Sequence, residues 1–159
     1  MKGEDVEGWA VITEAIGVAL SGEKGQGHKL LLESWRATAS SNHAQRCVLA
    51  HYLADTEEEL AKEVAWDEAA LGEYRHLEED SLASIGVTSA RGFEPSLRLN
   101  LADGYHRLDK LEAAREQLAA GQACAAVLGN DGYGNMIRTG LSNLAQRMEA
   151  TGNRKSGVI

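Results

Sequence analysis

The sequence predicts an all-α fold, and three observations carry that prediction. Ala and Leu together number 43 among 159 residues, whereas the β-branched Val and Ile number 13. Ala and Leu lose little on entering a helix, while β-branched side chains favour strands. Apolar residues also recur at spacings of three and four along most of the chain, the period of a single helix face. Finally, the single proline, Pro95, and most of the seventeen glycines fall where helices would begin or end. A length of 159 residues suits one domain that can stabilise its own core, expected here over residues 1–150, with a frayed tail over 151–159.

Taken in order, the first helix is expected over residues 6–20, with Trp9, Ile12, Ile16 and Leu20 on one stripe. Ser21-Gly22-Glu23-Lys24-Gly25 interrupts it, and a second helix follows over 26–35 with Leu30, Leu31 and Leu32. A polar loop at 39–42 leads to a third helix over 43–54, and Asp55-Thr56 separates it from a fourth over 57–71. In that fourth helix Trp66 is the residue expected in the core. The stretch 74–84 is thinner in apolar positions and is expected as a short helix, followed by a loop over 85–94. Pro95 then suits the first turn of a helix running to residue 108, because its missing N–H has no intrahelical partner there. Another helix is expected over 109–126. Gly129-Asn130-Asp131-Gly132-Tyr133-Gly134 is a clear break before a last helix over 135–150, with Met136, Ile137, Leu141, Leu144 and Met148 inward.

Helices of similar length joined by short turns invite a search for a repeat. In the segment LRLNLADGYHRLDKLEAAREQLAAG, residues 97–121, Leu101, Ala102 and Tyr105 form a large-small-large triple, and Ala114, Leu118 and Gly121 a small-large-small one. Small residues let two helices cross closely and large ones fill the space beside the crossing. Ala50 and Ala15 occupy the position of Ala102 in two earlier repeats, 52 and a further 35 residues back. Gly27, Leu31 and Ser34 supply the second triple of the first repeat, whereas residues 64–70 are one residue out of phase in the second. This pattern resembles the tetratricopeptide repeat, whose period is 34 residues, with an insertion at about 73–94. Through RCVLAHYLAD, VAWDEAAL and GFEPSLRLNLADGYHRL the chain is also similar to small tetratricopeptide-like proteins of actinobacteria, a likeness that implies a fold and no activity. The resemblance implies a right-handed α-α superhelix of about three hairpins with a C-terminal capping helix. It also implies a concave face lined by the first helix of each hairpin.

The formal net charge is −8, from 16 Lys and Arg against 24 Asp and Glu. Eleven of the acids and only two bases lie between Asp55 and Asp80, so the rest of the chain is close to neutral. No basic stripe exists to neutralise phosphates, which excludes nucleic acid as the main partner. Carboxylates on an amphipathic helix are ordinarily a solvated face, so the acidic segment is expected to serve solubility. Two cysteines, Cys47 and Cys124, are too few for a disulfide framework and fit a reducing, cytoplasmic setting. The start of the chain lacks a signal-peptide pattern and no apolar run reaches the roughly 20 residues of a membrane span.

Few residues form a chemical signature. His43, Cys47 and His51 stand at i, i+4 and i+8, but the outer two would be separated by roughly 12 Å along a helix, too far for one ion. GEKGQGHK at 22–29 has the glycines of a phosphate loop but follows a helix rather than a strand. The 129–135 loop could aim backbone N–H groups at an anion, although most such loops only cap a helix. No nucleophile triad or paired-carboxylate arrangement is present in the sequence, and no cofactor or metal is expected.

Carried over from the family, the concave positions are Cys47, His51 and Asp55 in the second repeat, and Ser96, Asn100, Asp103, His106 and Arg107 in the third. Asn100 and Arg107 fit the family's clamp for carboxylate-terminated peptides, whereas Asp55 and Asp103 oppose it. The expectation is therefore a non-enzymatic binding module whose concave face holds a protein or peptide segment. A small-molecule or catalytic pocket using His51, Asp103 and His106 is the alternative. Self-association through the apolar ends of a short stack, giving a homo-oligomer, is the third.

Overall fold

The structure, a computed structural model, describes residues 6–156. Seven α-helices account for most of it: α1 (Val6–Leu20), α2 (Lys24–Ala37), α3 (His43–Thr56), α4 (Leu60–Tyr74), α5 (Glu94–Arg107), α6 (Leu111–Cys124) and α7 (Gly132–Ser156). No strand occurs among the described residues, so the all-α expectation holds. None of these helices is long and apolar enough to cross a membrane.

The chain divides into two compact units, one ending at Arg91 and the other beginning at Gly92. The N-terminal unit holds α1 to α4, and adjacent helices pack as α1/α2, α2/α3 and α3/α4, with α1 also reaching α3. It carries eight Lys and Arg against seventeen Asp and Glu, net −9, so the whole charge imbalance of the protein lies here. The C-terminal unit holds α5, α6 and α7, each packed against the other two.

Small residues govern how closely these helices approach. Ala15, Ala50 and Ala102 are all buried. Gly27 of α2 lies so near α1 that a Cβ built on it would meet the Ala19 Cα at 2.5 Å. In the C-terminal unit Gly121 of α6 faces Leu141 of α7 and the Arg98 stem of α5, and Gly140 of α7 faces Leu99. Ala102, Ala114, Leu118, Ile137, Leu141, Leu144 and Met148 close into one core around these approaches.

The turns follow ordinary rules. Gly22, with φ +96°, takes the left-handed turn between α1 and α2. Asn42 caps α3, its Oδ1 accepting from the Gln45 N–H at 3.3 Å. Asp109 takes the left-handed conformation at φ +61° after α5, and the Lys110 N–H reaches back to the Tyr105 carbonyl at 2.9 Å. That six-to-one bond is the helix-ending pattern glycine usually supplies, and Asp tolerates it.

Three expectations are corrected. Of the expected helix over 74–84, Tyr74 only ends α4, and the rest forms turns leading into a short 3-10 segment, Ala83–Ile85. There the Ser81 hydroxyl accepts from the Glu78 N–H at 2.8 Å, a local bond that competes with the helical ladder. Helix α7 runs from Gly132 to Ser156 rather than over 135–150, and 157–159 lie outside the described residues. Trp66 is only half-buried, whereas Asp67 beside it is buried.

Replacing Gly27 by Ala forces a methyl group into the α1 backbone, which cannot yield as a flexible side chain can. Unfolding in urea should show Gly27→Ala destabilised by about 2–3 kcal/mol. Gly25→Ala, in the same helix but facing open space, should instead be neutral or stabilising by up to ~1 kcal/mol.

Candidate functional site

Helix α3 carries the three expected site residues of the N-terminal unit. It is buried on more than one side, with Cys47, Val48, Leu49, Ala50, Leu53 and Ala54 all in the core. Cys47 is therefore not presented to a ligand. Its thiol donates to the Ala70 carbonyl of α4 at 3.4 Å, and burial, aided by the charge of Glu73, pushes it up to about 12. His51, one turn on, rests edge-on against Tyr52 with ring centroids 5.0 Å apart. Burial lowers its pKa below the usual imidazole range, and the Asp55 charge opposes that shift. Asp55 itself is exposed at the end of the same face. Desolvation by the surrounding protein nonetheless raises its carboxyl above the usual range, opposed by the charge of His51, with Glu63 adding to the rise and Lys24 opposing it. His43 does not join Cys47 and His51, and no group of three or more metal-ligating side chains is assembled among the described residues.

What sequence reasoning missed is a continuous polar and aromatic network across α2, α3 and α4. His43 donates through Nδ1 to Glu73 Oε2 at 2.5 Å, and its ring stacks on His76 with centroids 4.1 Å apart and planes 15° apart. The other oxygen of Glu73 accepts from Arg46 Nε at 3.2 Å. The Arg46 guanidinium lies 3.7 Å from the centre of the Trp35 ring, and Trp35 meets Trp66 edge to face at 5.0 Å. Trp66 Nε1–H donates to Glu57 at 3.1 Å, and His28 Nε2 stands 3.9 Å from the same carboxylate. His28 Nδ1 is 2.9 Å from Thr56 Oγ1, whose own proton goes to the Leu53 carbonyl at 3.1 Å, so His28 is the donor.

A guanidinium over a Trp face contributes roughly 0.5–2 kcal/mol and an edge-to-face aromatic pair about 1 kcal/mol. This network is thus a strap holding α2 and α4 to α3. It also revises the reading of the acidic segment, because Glu57 and Glu73 are internal partners and Asp67 is 4% exposed. Its partners are far apart in the chain, His43 and Glu73 by 30 residues, so no local spacing marks it.

In the C-terminal unit the five expected residues lie on α5, and α7 engages most of that face. The buried Ser96 hydrogen-bonds the Tyr133 side chain, and Leu99 packs at Gly140. Asp103 accepts from Arg107 at 2.9 Å through one oxygen and from Arg147 at 3.2 Å through the other. His106 Nε2 is 3.1 Å from the Thr151 hydroxyl, whose proton goes to the Arg147 carbonyl, so the imidazole donates. The stripe Ser96, Leu99, Asp103 and His106 is therefore a seam between two helices, reading onto Tyr133, Gly140, Arg147 and Thr151. Asn100 is half-buried beside it and Arg107 is exposed. The loop before α7 serves as a cap: Asp131 Oδ1 accepts from the Gly134 N–H at 2.7 Å, and Arg138 holds the Gly129 carbonyl at 2.8 Å. A Cβ at Gly134 would collide with that carbonyl.

Two measurements follow from these environments. With an aromatic disulfide reagent the native protein should yield only one thiol, slowly. That thiol is Cys124, which is partly buried and whose pKa is raised by burial, whereas Cys47 should react only after unfolding. For His51, a depressed folded-state pKa means the unfolded chain takes the proton first. Its stabilising contribution is complete above pH ~6.5 and lost as pH falls below that value. Asp55 acts oppositely in the window above pH ~3.8, where its raised pKa favours the folded state as pH falls. Melting temperature followed from pH 7.5 to 5.5 should fall in the wild type, and the slope should be smaller in His51→Gln.

No family model, curated protein or solved structure matches this chain.

Proposed function

We propose that the protein is a non-enzymatic binding module built of tetratricopeptide-like helical hairpins, and that it holds a protein or peptide segment along α5. The observation that carries this reading is the coincidence of the repeat's packing positions with buried residues. Ala15, Ala50 and Ala102 are buried, as are the triples Gly27, Leu31, Ser34 and Ala114, Leu118, Gly121. Helical hairpins with this register occur in a fold that works by presenting helix faces to partners, and the step from fold to function is one of analogy.

Within the C-terminal unit the contact is assigned to Asn100 and Arg107. They stand seven residues apart on one stripe of α5, beside rather than within the seam that α7 covers. An amide and a guanidinium there would suit a backbone carbonyl or a carboxylate of an extended peptide. The catalytic alternative asks Asp103 and His106 to leave Arg107, Arg147 and Thr151, and no observation favours it.

Selection of a phage-displayed peptide library on the wild-type protein provides the test. Enriched peptides should lose at least about tenfold in affinity against the Asn100→Ala, Arg107→Ala double variant, the usual cost of removing one charge-assisted contact. Unchanged binding by the double variant would refute the assignment to α5.

A further inference from the structure

We propose that the outer face of α1 docks an amphipathic helix of another protein, one that carries Lys or Arg seven residues apart within its apolar face. This surface belongs to the N-terminal unit and is independent of the peptide contact assigned to α5. Helix α1 turns Trp9, Ile12 and Ala15 inward and packs on α2 and α3. Its opposite side nevertheless exposes Val6 at 66%, Val11 at 56% and Leu20 at 70%. Single exposed apolar residues are ordinary, but three of the six large ones exposed among the described residues share this one helix. They are also aligned. Positions 6, 10, 13, 17 and 20 recur every three or four residues and form one edge of the exposed face. Thr13 presents its methyl group there, since its hydroxyl donates to the Trp9 carbonyl at 2.8 Å. Val11 and the half-buried Val18 form the other edge.

Between the two edges run the exposed Glu7 and Glu14, two turns or roughly 10.5 Å apart along the helix. Helix α1 contains no Lys or Arg, and the unit that holds it is net −9. This charge pattern selects the occupant. A second copy of α1 would bring four carboxylates into the contact and no cation from either helix. An anionic lipid surface would meet the same carboxylates in the middle of the face it covers. A helix with cations at i and i+7 instead places one opposite each glutamate, while its flanking apolar residues cover Val6, Leu20 and Val11. The apolar edges then supply the buried area and the two charge pairs fix the register.

Two synthetic Leu-rich helical peptides of about 18 residues provide the test, one with Lys at two positions seven apart in its apolar face, the other with Glu there. By fluorescence anisotropy the full chain should bind the Lys peptide at least about tenfold more tightly than the Glu peptide. Amide chemical shifts that move on titration should centre on residues 6–20. The Val6→Ser, Leu20→Ser double variant changes only exposed positions and should lose about tenfold or more in affinity for the Lys peptide. Glu7→Gln with Glu14→Gln should remove the preference for Lys over Glu. The Asn100→Ala, Arg107→Ala variant should bind as the wild type does, which separates this surface from the contact on α5. Absence of saturable binding, equal affinity for the two peptides, or shifts centred outside α1 would overturn the proposal. So would a dimer that Val6→Ser, Leu20→Ser dissolves, or sedimentation of the protein with vesicles of phosphatidylcholine and phosphatidylserine, since either identifies a different occupant.

Discussion

Everything else in this protein depends on how closely its helices can approach where side chains are absent or reduced to a methyl group. At Gly27 the α2 backbone comes within a distance of Ala19 that leaves no room for a Cβ, and that approach sets where α2 lies on α1. Once α2 is seated, Trp35 at its far end is positioned to receive Arg46, and Arg46 in turn to hold Glu73. The polar strap of the N-terminal unit is therefore a consequence of a steric condition set a few turns away. In the C-terminal unit Gly121 and Gly140 play the same part, letting α7 settle between α5 and α6. Interiors packed to crystal-like density transmit such conditions, because a methyl group has nowhere to go.

The two units spend their polar residues differently. In the N-terminal unit two carboxylates from the acidic segment turn inward, Glu73 shared by Arg46 and His43, and Glu57 accepting from the Trp66 N–H. A half-buried charge costs desolvation energy that a hydrogen-bonded partner must offset, so such pairs add directional specificity more than net stability. In the C-terminal unit the α5–α7 seam is closed at its exposed end by Asp103 between two guanidiniums. These pairs are screened by water and add little energy, but they fix the register of α7 along α5.

Helix identity was legible because it rests on local physics. The bounds of α1 agree to the residue, and Pro95 stands in the first turn of α5 as its missing N–H requires. The failures share a cause as well. Residues 74–84 have helical composition, yet Ser81 captures a backbone N–H that a helix would have used. Glu94 begins α5 one residue earlier than the proline alone suggests, and α7 outlasts its apolar pattern because a helix once nucleated extends cheaply through polar residues. For the site, the sequence placed Ser96, Asp103 and His106 on one face of α5 but could not say that α7 would cover it. Nor could it pair His43 with Glu73 across 30 residues.

By itself, then, the sequence determined that the chain is helical, where most of its helices turn, and where its negative charge is concentrated. Periodicity, propensity and spacing are properties of neighbours in the chain. Only the tertiary structure decided which polar groups meet: that Cys47 faces the Ala70 carbonyl, that His43 lies between Glu73 and His76, and that the Asp103 face of α5 belongs to α7. Those pairings depend on the crossing of helices. In α4 the crossing buries Asp67 and leaves its neighbour Trp66 half-buried.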